Sequence, residues 1–380
     1  MTLPGAIGSR SGRNLGYNAT MILLLFLVGL VLLIVGAEAL VRGAARIAVA
    51  LGITPLVVGL TVVAFGTSAP ELAVGVQSAY AGKPDLAIGN VIGSNIANIL
   101  LILGLTAAII PLTVQRQLIR IDVPIMIGAS IVMAIMSIDG VINRFDGLLL
   151  VVALVGYVIF TIHQSRAAQN MQAGDDLGFD PVPPRSARTW LFNLGLCVVG
   201  LGLLVQGANW IVDGAVAFAR LLGVDELIIG LTIIAVGTSL PEIATSVLAS
   251  LRGQRDMAVG NAIGSNIFNI FSVLGVTALV APAGVGVADA AIAFDLPVML
   301  VVALACLPIF LRGGRIDRWE GVLFLVYYAA YTIYLILFAT ENTLLPLFSS
   351  AMIFFVVPLT VVTLVVLLLF EWRQRRLARA

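Results

Sequence analysis

The sequence predicts an all-α membrane protein in which five transmembrane helices are followed by five more in inverted repeat, with one extra C-terminal span. Three observations carry that prediction. The 380 residues are 60% hydrophobic and 11% charged, with a mean hydropathy of +1.10, far outside soluble composition. Apolar stretches recur that are long enough to cross about 30 Å of hydrocarbon. A segment of 39 residues also returns at a fixed offset of 171, with 21 positions identical.

Composition also removes several function classes. The balance of 21 basic against 20 acidic residues leaves a net charge of +1, so no basic surface remains for a nucleic-acid backbone. Cys197 and Cys306 sit in apolar runs outside any CxxC or Cys/His spacing, which argues against a disulfide framework or a zinc site. The single histidine, His163, closes an apolar run as an interfacial residue.

The eleven spans run approximately over 21–41, 54–80, 85–110, 118–138, 146–163, 190–220, 225–250, 257–281, 289–311, 319–340 and 344–370. Residues 164–189, with Gly174-Asp175-Asp176 and Pro181-Val182-Pro183-Pro184, read as a flexible connector between two halves. The expected organisation is therefore a first repeat over 1–163, a cytoplasmic connector over 164–189, a second repeat over 190–340, and an extra span with a basic tail over 341–380. Ala37-Glu38-Ala39 in the first span raises the possibility of a cleavable signal, but Gly36-Ala37 is matched by Gly207-Ala208, so the span is expected to be structural. Alternate loops carry sixteen and five Lys or Arg residues, and the richer face is expected to be cytoplasmic. That places the N-terminus outside and the C-terminus inside.

The repeated segments are GTSAPELAVGVQSAYAGKPDLAIGNVIGSNIANILLILG over 66–104 and GTSLPEIATSVLASLRGQRDMAVGNAIGSNIFNIFSVLG over 237–275. Because five spans is an odd number, the second copy starts from the opposite side of the bilayer. Inverted repeats of this kind point to a transporter. Within each copy, Pro70 and Pro241 lack an amide hydrogen and collide with the carbonyl four residues back, so each helix should break near mid-membrane. Backbone groups freed there need protein, a watery cavity or an ion. Glu71 and Glu242 follow immediately, and a charged residue at such depth costs about 2.5–3.5 kcal/mol on insertion scales. The arginines cluster at span ends, so a cation or protons must neutralise the two acids. Carboxylate, hydroxyl, amide and carbonyl oxygens form a hard ligand set suited to calcium, sodium or magnesium. Ser94 and Asn98 share a helix face, as do Ser265 and Asn269. These small polar residues could equally glue helices together, so the glutamates carry the ionic reading.

The paired GTS-x-PE and GN-x-IGSNI-x-N segments resemble the alpha repeats of the calcium/cation antiporter superfamily, especially prokaryotic sodium/calcium exchangers. The likeness covers spans one to ten. It implies a calcium site with sodium sites beside it, formed by side chains of Glu71, Glu242, Ser68, Ser239, Ser94, Ser265 and Asn98 and by backbone oxygens of Ala64, Thr67, Ala235 and Thr238. Asn269 stands where many of these exchangers carry an aspartate, which bears on stoichiometry. The resemblance thus implies exchange of Ca2+ for Na+ by alternating access in a bacterial inner membrane, with no tightly bound cofactor. A proton-coupled Ca2+ or Mg2+ antiporter of the same fold is the nearest alternative. An intramembrane enzyme or a channel stands further off, because no nucleophile elbow or HExxH motif is present and two broken helices suggest occlusion.

Overall fold

The computed structural model describes residues 19–172 and 187–358 and part of the stretch 360–369. The chain is helical almost throughout, with eight helices long and apolar enough to span a bilayer, or ten if each of two bent pairs is one span. In the first half these are α1 (Ala19–Leu51), α2 (Pro55–Thr67) bent by 42° into α3 (Ala69–Tyr80), α4 (Leu86–Ile109), α5 (Leu118–Met136) and α6 (Arg144–Gln172). The second half repeats the order. It contains α7 (Ala187–Leu221), α8 (Thr232–Thr238) bent by 55° into α9 (Leu240–Leu251), α10 (Arg255–Val280), α11 (Ala291–Leu311) and α12 (Arg318–Ala339).

Ten of the expected stretches are thus helical. The eleventh, expected over 344–370, begins as α13 (Leu345–Ala351) and continues through a π-helical turn to Val356, while much of its remainder lies outside the described residues. Two helices outrun their expected limits. Helix α1 continues past Arg42 and Arg46 because nothing interrupts it until Gly52, whose φ of +62° ends the helix as only glycine does readily. Gly223, at the repeat offset, ends α7 with a φ of +74°. Helix α6 likewise extends to Gln172, into the expected connector, whose centre lies outside the described residues.

Contacts between the halves are intimate because glycines line them. Helices α1 and α7 pack antiparallel. A Cβ on Gly29 would stand 2.9 Å from the Gly207 carbonyl, on Gly36 2.7 Å from the Gly200 carbonyl, and on Gly43 2.8 Å from the Asn193 carbonyl. Without lipid-excluding hydrophobic drive, such close backbone approach is how membrane helices gain packing energy. Further in, α4 and α10 form the centre of the molecule, with Ile88, Ile92, Ile96, Ile263 and Ile267 buried.

Short strands stitch the loops across the halves. Strand β1 (Leu112–Thr113) pairs antiparallel with β4 (Arg315–Ile316), and β2 (Val141–Ile142) with β3 (Val285–Gly286). Each pair takes one strand from either half. Within each half, a tyrosine braces the helix before it: Tyr157 of α6 donates to Asp122 of α5 at 3.1 Å, and Tyr331 of α12 donates to Asp295 of α11 at 2.9 Å.

Replacing Gly36 by leucine should push α1 off α7 and destabilise the protein by about 1–3 kcal/mol, the usual cost of overpacking. The same change at Gly202, where a Cβ meets nothing within 4 Å, should be nearly neutral. Thermal unfolding of the two variants in detergent checks this, and equal midpoints would contradict it.

Candidate cation site

The two helix breaks put acids where the sequence expects them. Ser68 leaves the helical region at ψ +4° and Ser239 at ψ +3°, and each new helix then starts with its proline and glutamate in the first turn. An acidic residue in a first turn is favoured by the exposed amide hydrogens there. Glu71 is 1% and Glu242 2% exposed, and no Arg or Lys among the described residues pairs with either. The two acids stand near enough to interact electrostatically.

The elements that carry these acids, and the central helices α4 and α10, hold buried oxygens with no protein partner among the described residues: Ser68 Oγ, Ser239 Oγ, Ser265 Oγ, Glu71 Oε2, Glu242 Oε2, Asn98 Oδ1 and Asn269 Oδ1. All but Ser265 form matched pairs across the repeat. Ser94, the counterpart of Ser265, is also buried. A buried polar atom left unpaired costs about 1–3 kcal/mol, so matched unpartnered oxygens on both halves call for a partner from outside the protein. Every atom in it is oxygen. Among the described residues no three His, Cys, Asp or Glu side chains gather, so any cation held here depends on two carboxylates supplemented by neutral oxygens.

The helices are irregular next to two of those oxygens. Helix α4 widens to a π-helical turn over Asn98–Leu103 and α10 over Asn269–Leu274, each beginning at the asparagine whose oxygen is unpartnered. Such turns recur at functional sites because they displace a side chain from the regular helical path.

The matched backbone positions are not alike. Ala64 and Thr67 are buried, whereas Ala235 is exposed and Thr238 half-buried. The cause is a difference in seam. Helix α2 lies directly on α10, where a Cβ on Gly59 would stand 2.5 Å from the Met257 carbonyl, on Gly260 2.7 Å from the Leu56 carbonyl and on Gly264 2.7 Å from Leu60 Cα. At the matching Gly230, Gly89 and Gly93, a Cβ would meet nothing within 4 Å. The run leading into α8 therefore stands off α4.

Residues outside the expected set hold the site together. Asn261 donates to Ser246 Oγ at 2.9 Å, Thr245 Oγ1 at 3.1 Å and the Glu242 carbonyl at 3.4 Å, while accepting from Thr67 Oγ1 at 3.3 Å. Its counterpart Asn90 donates to the Glu71 carbonyl at 3.2 Å. Asn95 and Asn266 bond across the halves to Asn269 and Asn98. The GN-x-IGSN pattern holds all four asparagines, but only the folded chain shows which partner each one meets.

A polytopic helical protein with two buried carboxylates, unpaired with Arg or Lys among the described residues, and matched unpartnered oxygens has the features of a cation transporter. Residues 21–163 and 192–337 match the sodium/calcium exchanger protein family. The sodium/calcium exchanger MaX1 of Methanosarcina acetivorans is 32% identical over 83% of this chain and 99% of its own. The inner membrane protein YrbG of Escherichia coli is 38% identical over 79% of this chain and 92% of its own. A structure of the sodium-calcium exchanger NCX_Mj, soaked with 10 mM Na+ and zero Ca2+, superposes with a TM-score of 0.70 at 32% identity, covering 82% of this chain and 98% of that one. The chain belongs to the sodium/calcium exchanger protein family and is a multi-pass antiporter of that type.

Asn261→Ala would remove the amide that Ser246 accepts from and the bond that ties Thr67 to the other half, while the Thr245 and Thr67 hydroxyls keep their backbone carbonyls. It should lower stability by about 1–3 kcal/mol, as expected when buried partners are left unpaired. Asn261→Gln should cost less only if the longer amide can still reach Ser246. A denaturation midpoint for Asn261→Ala equal to that of the parent would contradict this network.

Proposed function

We propose that the protein exchanges Ca2+ for Na+ across the membrane by alternating access, with Glu71 and Glu242 jointly holding the divalent ion. The carrying observation is the set of unpartnered buried oxygens from both halves together with two buried carboxylates that no Arg or Lys among the described residues pairs with. Ser68, Ser239, Ser94, Ser265, Asn98 and Asn269 supply neutral side-chain oxygens, and Ala64, Thr67, Ala235 and Thr238 supply carbonyls on the approach. Calcium takes six to eight oxygens, about what such a set offers. Sodium competes for the same atoms, so the two ions occupy the site in turn.

The architecture is read as two five-span repeats, 1–163 and 190–340, inverted about an axis in the membrane plane, joined by 164–189 and followed by an eleventh span within 341–380. Supporting this, α1 and α7 occupy the same place in their halves yet pack antiparallel, and the two strand pairs exchange when the halves are swapped. The charge bias of the loops favours an outside N-terminus and a cytoplasmic C-terminus in a bacterial inner membrane. In that orientation the glycine-sealed α2–α10 seam closes the cytoplasmic half and the gap between α4 and the run into α8 opens the other. Inverting the two seams would carry the site to the opposite face, with α1 and α7 as the sliding pair.

Two carboxylates balance one Ca2+ or two Na+ or two protons, and a third Na+ would leave one positive charge to cross the field. That charge would be worth about 2.3 kcal/mol per 100 mV. Asn269, neutral, favours an electroneutral cycle and keeps proton-coupled Ca2+ or Mg2+ exchange as a second reading.

In proteoliposomes, Glu71→Gln and Glu242→Gln should each abolish Ca2+ uptake while inserting normally, since the amide preserves shape and removes charge. Full uptake by either would sink the proposal. An outward-directed Na+ gradient at clamped pH should drive uptake in the parent protein. Uptake that follows only a pH gradient would transfer the assignment to proton coupling, and a dependence on imposed voltage would indicate a third Na+.

A further inference from the structure

Asn98 and Asn269 each offer an oxygen at one end of the side-chain amide and a hydrogen-bond donor at the other. For a cation the two ends are opposites: one attracts it and one repels it. An amide can turn over with almost no change in shape, so its surroundings decide which end is presented. Those surroundings are specific. Asn98 Nδ2 donates to Asn266 Oδ1 at 3.0 Å, and Asn266 Nδ2 donates to Met126 Sδ at 3.3 Å. In the same way, Asn269 Nδ2 donates to Asn95 Oδ1 at 3.1 Å, and Asn95 Nδ2 donates to Met299 Sδ at 3.6 Å. All six residues are buried to within 2%.

A thioether sulfur can accept a hydrogen bond but has none to give. Met126 and Met299 therefore fix the donor ends of Asn266 and Asn95, which turns the oxygens of those residues toward Asn98 and Asn269. These in turn must present their own donors, leaving Asn98 Oδ1 and Asn269 Oδ1 unpartnered, each one helical turn from Ser94 or Ser265. If the sequence of bonds were reversed, carbonyl oxygens would face sulfur lone pairs and two amide donors would face the site.

We propose that Met126 and Met299, acting through Asn266 and Asn95, are positioning residues that set the amide polarity of Asn98 and Asn269 so that both present oxygen to the cation. The inference rests on the cation site described under Proposed function. Each methionine comes from the fourth helix of one half, and each acts on an asparagine pair joining the halves. Neither methionine touches the ion; their contribution is to remove the donor-first arrangement.

The test is equilibrium binding to the purified protein, by titration calorimetry with Ca2+, Na+ and Mg2+ in turn, alongside thermal unfolding. The double variant Met126→Leu, Met299→Leu keeps volume and removes both acceptors. It should weaken Ca2+ binding by about tenfold, the lower range for loss of a group that orients a metal ligand, with the unfolding midpoint of the apo protein little changed. Adding Asn98→Asp and Asn269→Asp should restore or exceed parental affinity, because a carboxylate presents oxygen at either end and the freed Asn266 and Asn95 can turn to donate to it. If the double variant does not accumulate, the single variants Met126→Leu and Met299→Leu make the same comparison one asparagine pair at a time, each removing one acceptor at nearly constant volume. Affinities within about twofold of the parent for the leucine variants, against that expected loss, would overturn the polarity relay while leaving the cation site standing. A parent protein that binds none of the three ions would overturn the site reading itself, and the relay with it.

Discussion

Two carboxylates held out of water, with no Arg or Lys among the described residues paired to either, set the central constraint on this fold. Glu71 and Glu242 are buried where their charge must be matched by something that is not covalently part of the chain. The surrounding structure follows from that demand. Prolines break α2 from α3 and α8 from α9, and this places each acid in a first helical turn. The π-helical turns at Asn98 and Asn269 bring amide oxygens to the same region, and asparagines from the opposite half bond to those amides.

Close packing of glycine makes the arrangement affordable in a bilayer. The α1–α7 and α2–α10 contacts both depend on backbone meeting backbone with no side chain between. The seam between α4 and the run into α8 has the same glycines in the same places and is not closed. One sequence pattern thus appears in two packing states within one molecule, which is the kind of bistable element that a conformational cycle requires. A cross-half cluster of charge accompanies the closed seam. Arg252, in the turn after α9, pairs with Glu38 of α1 at 2.9 Å, and Arg42 pairs with the same carboxylate. The matching positions hold Asn209, Asp213 and Ala81.

Much of this was legible before folding because it is local. Hydropathy located ten helices, Pro70 and Pro241 located the breaks, and the spacing of Ser94 from Asn98 placed them on one face. What was not legible depends on pairs distant in sequence. Asn266 meets Met126 140 positions away, Asn95 meets Asn269 174 away, and Asn261 adds to its near neighbours a bond from Thr67 194 away. A motif can mark such residues without saying whom they meet. The difference between Ala64 and Ala235 was equally hidden, because the repeat makes the two positions look equivalent while the closed seam buries only one. The strand pairs were missed for a simpler reason: two-residue strands in short loops leave no periodicity to read.

The stitching of the halves has a consequence for how the chain is made. Strands β1 and β2 have their partners in the second half, and Asn98 has its partner at Asn266. When the ribosome has delivered only the first five spans, Asn98 has no Asn266 to bond and the two loop strands have no partner strand. The burden of the architecture therefore falls on biogenesis, during the interval when half of the molecule waits in the membrane for the half that completes it.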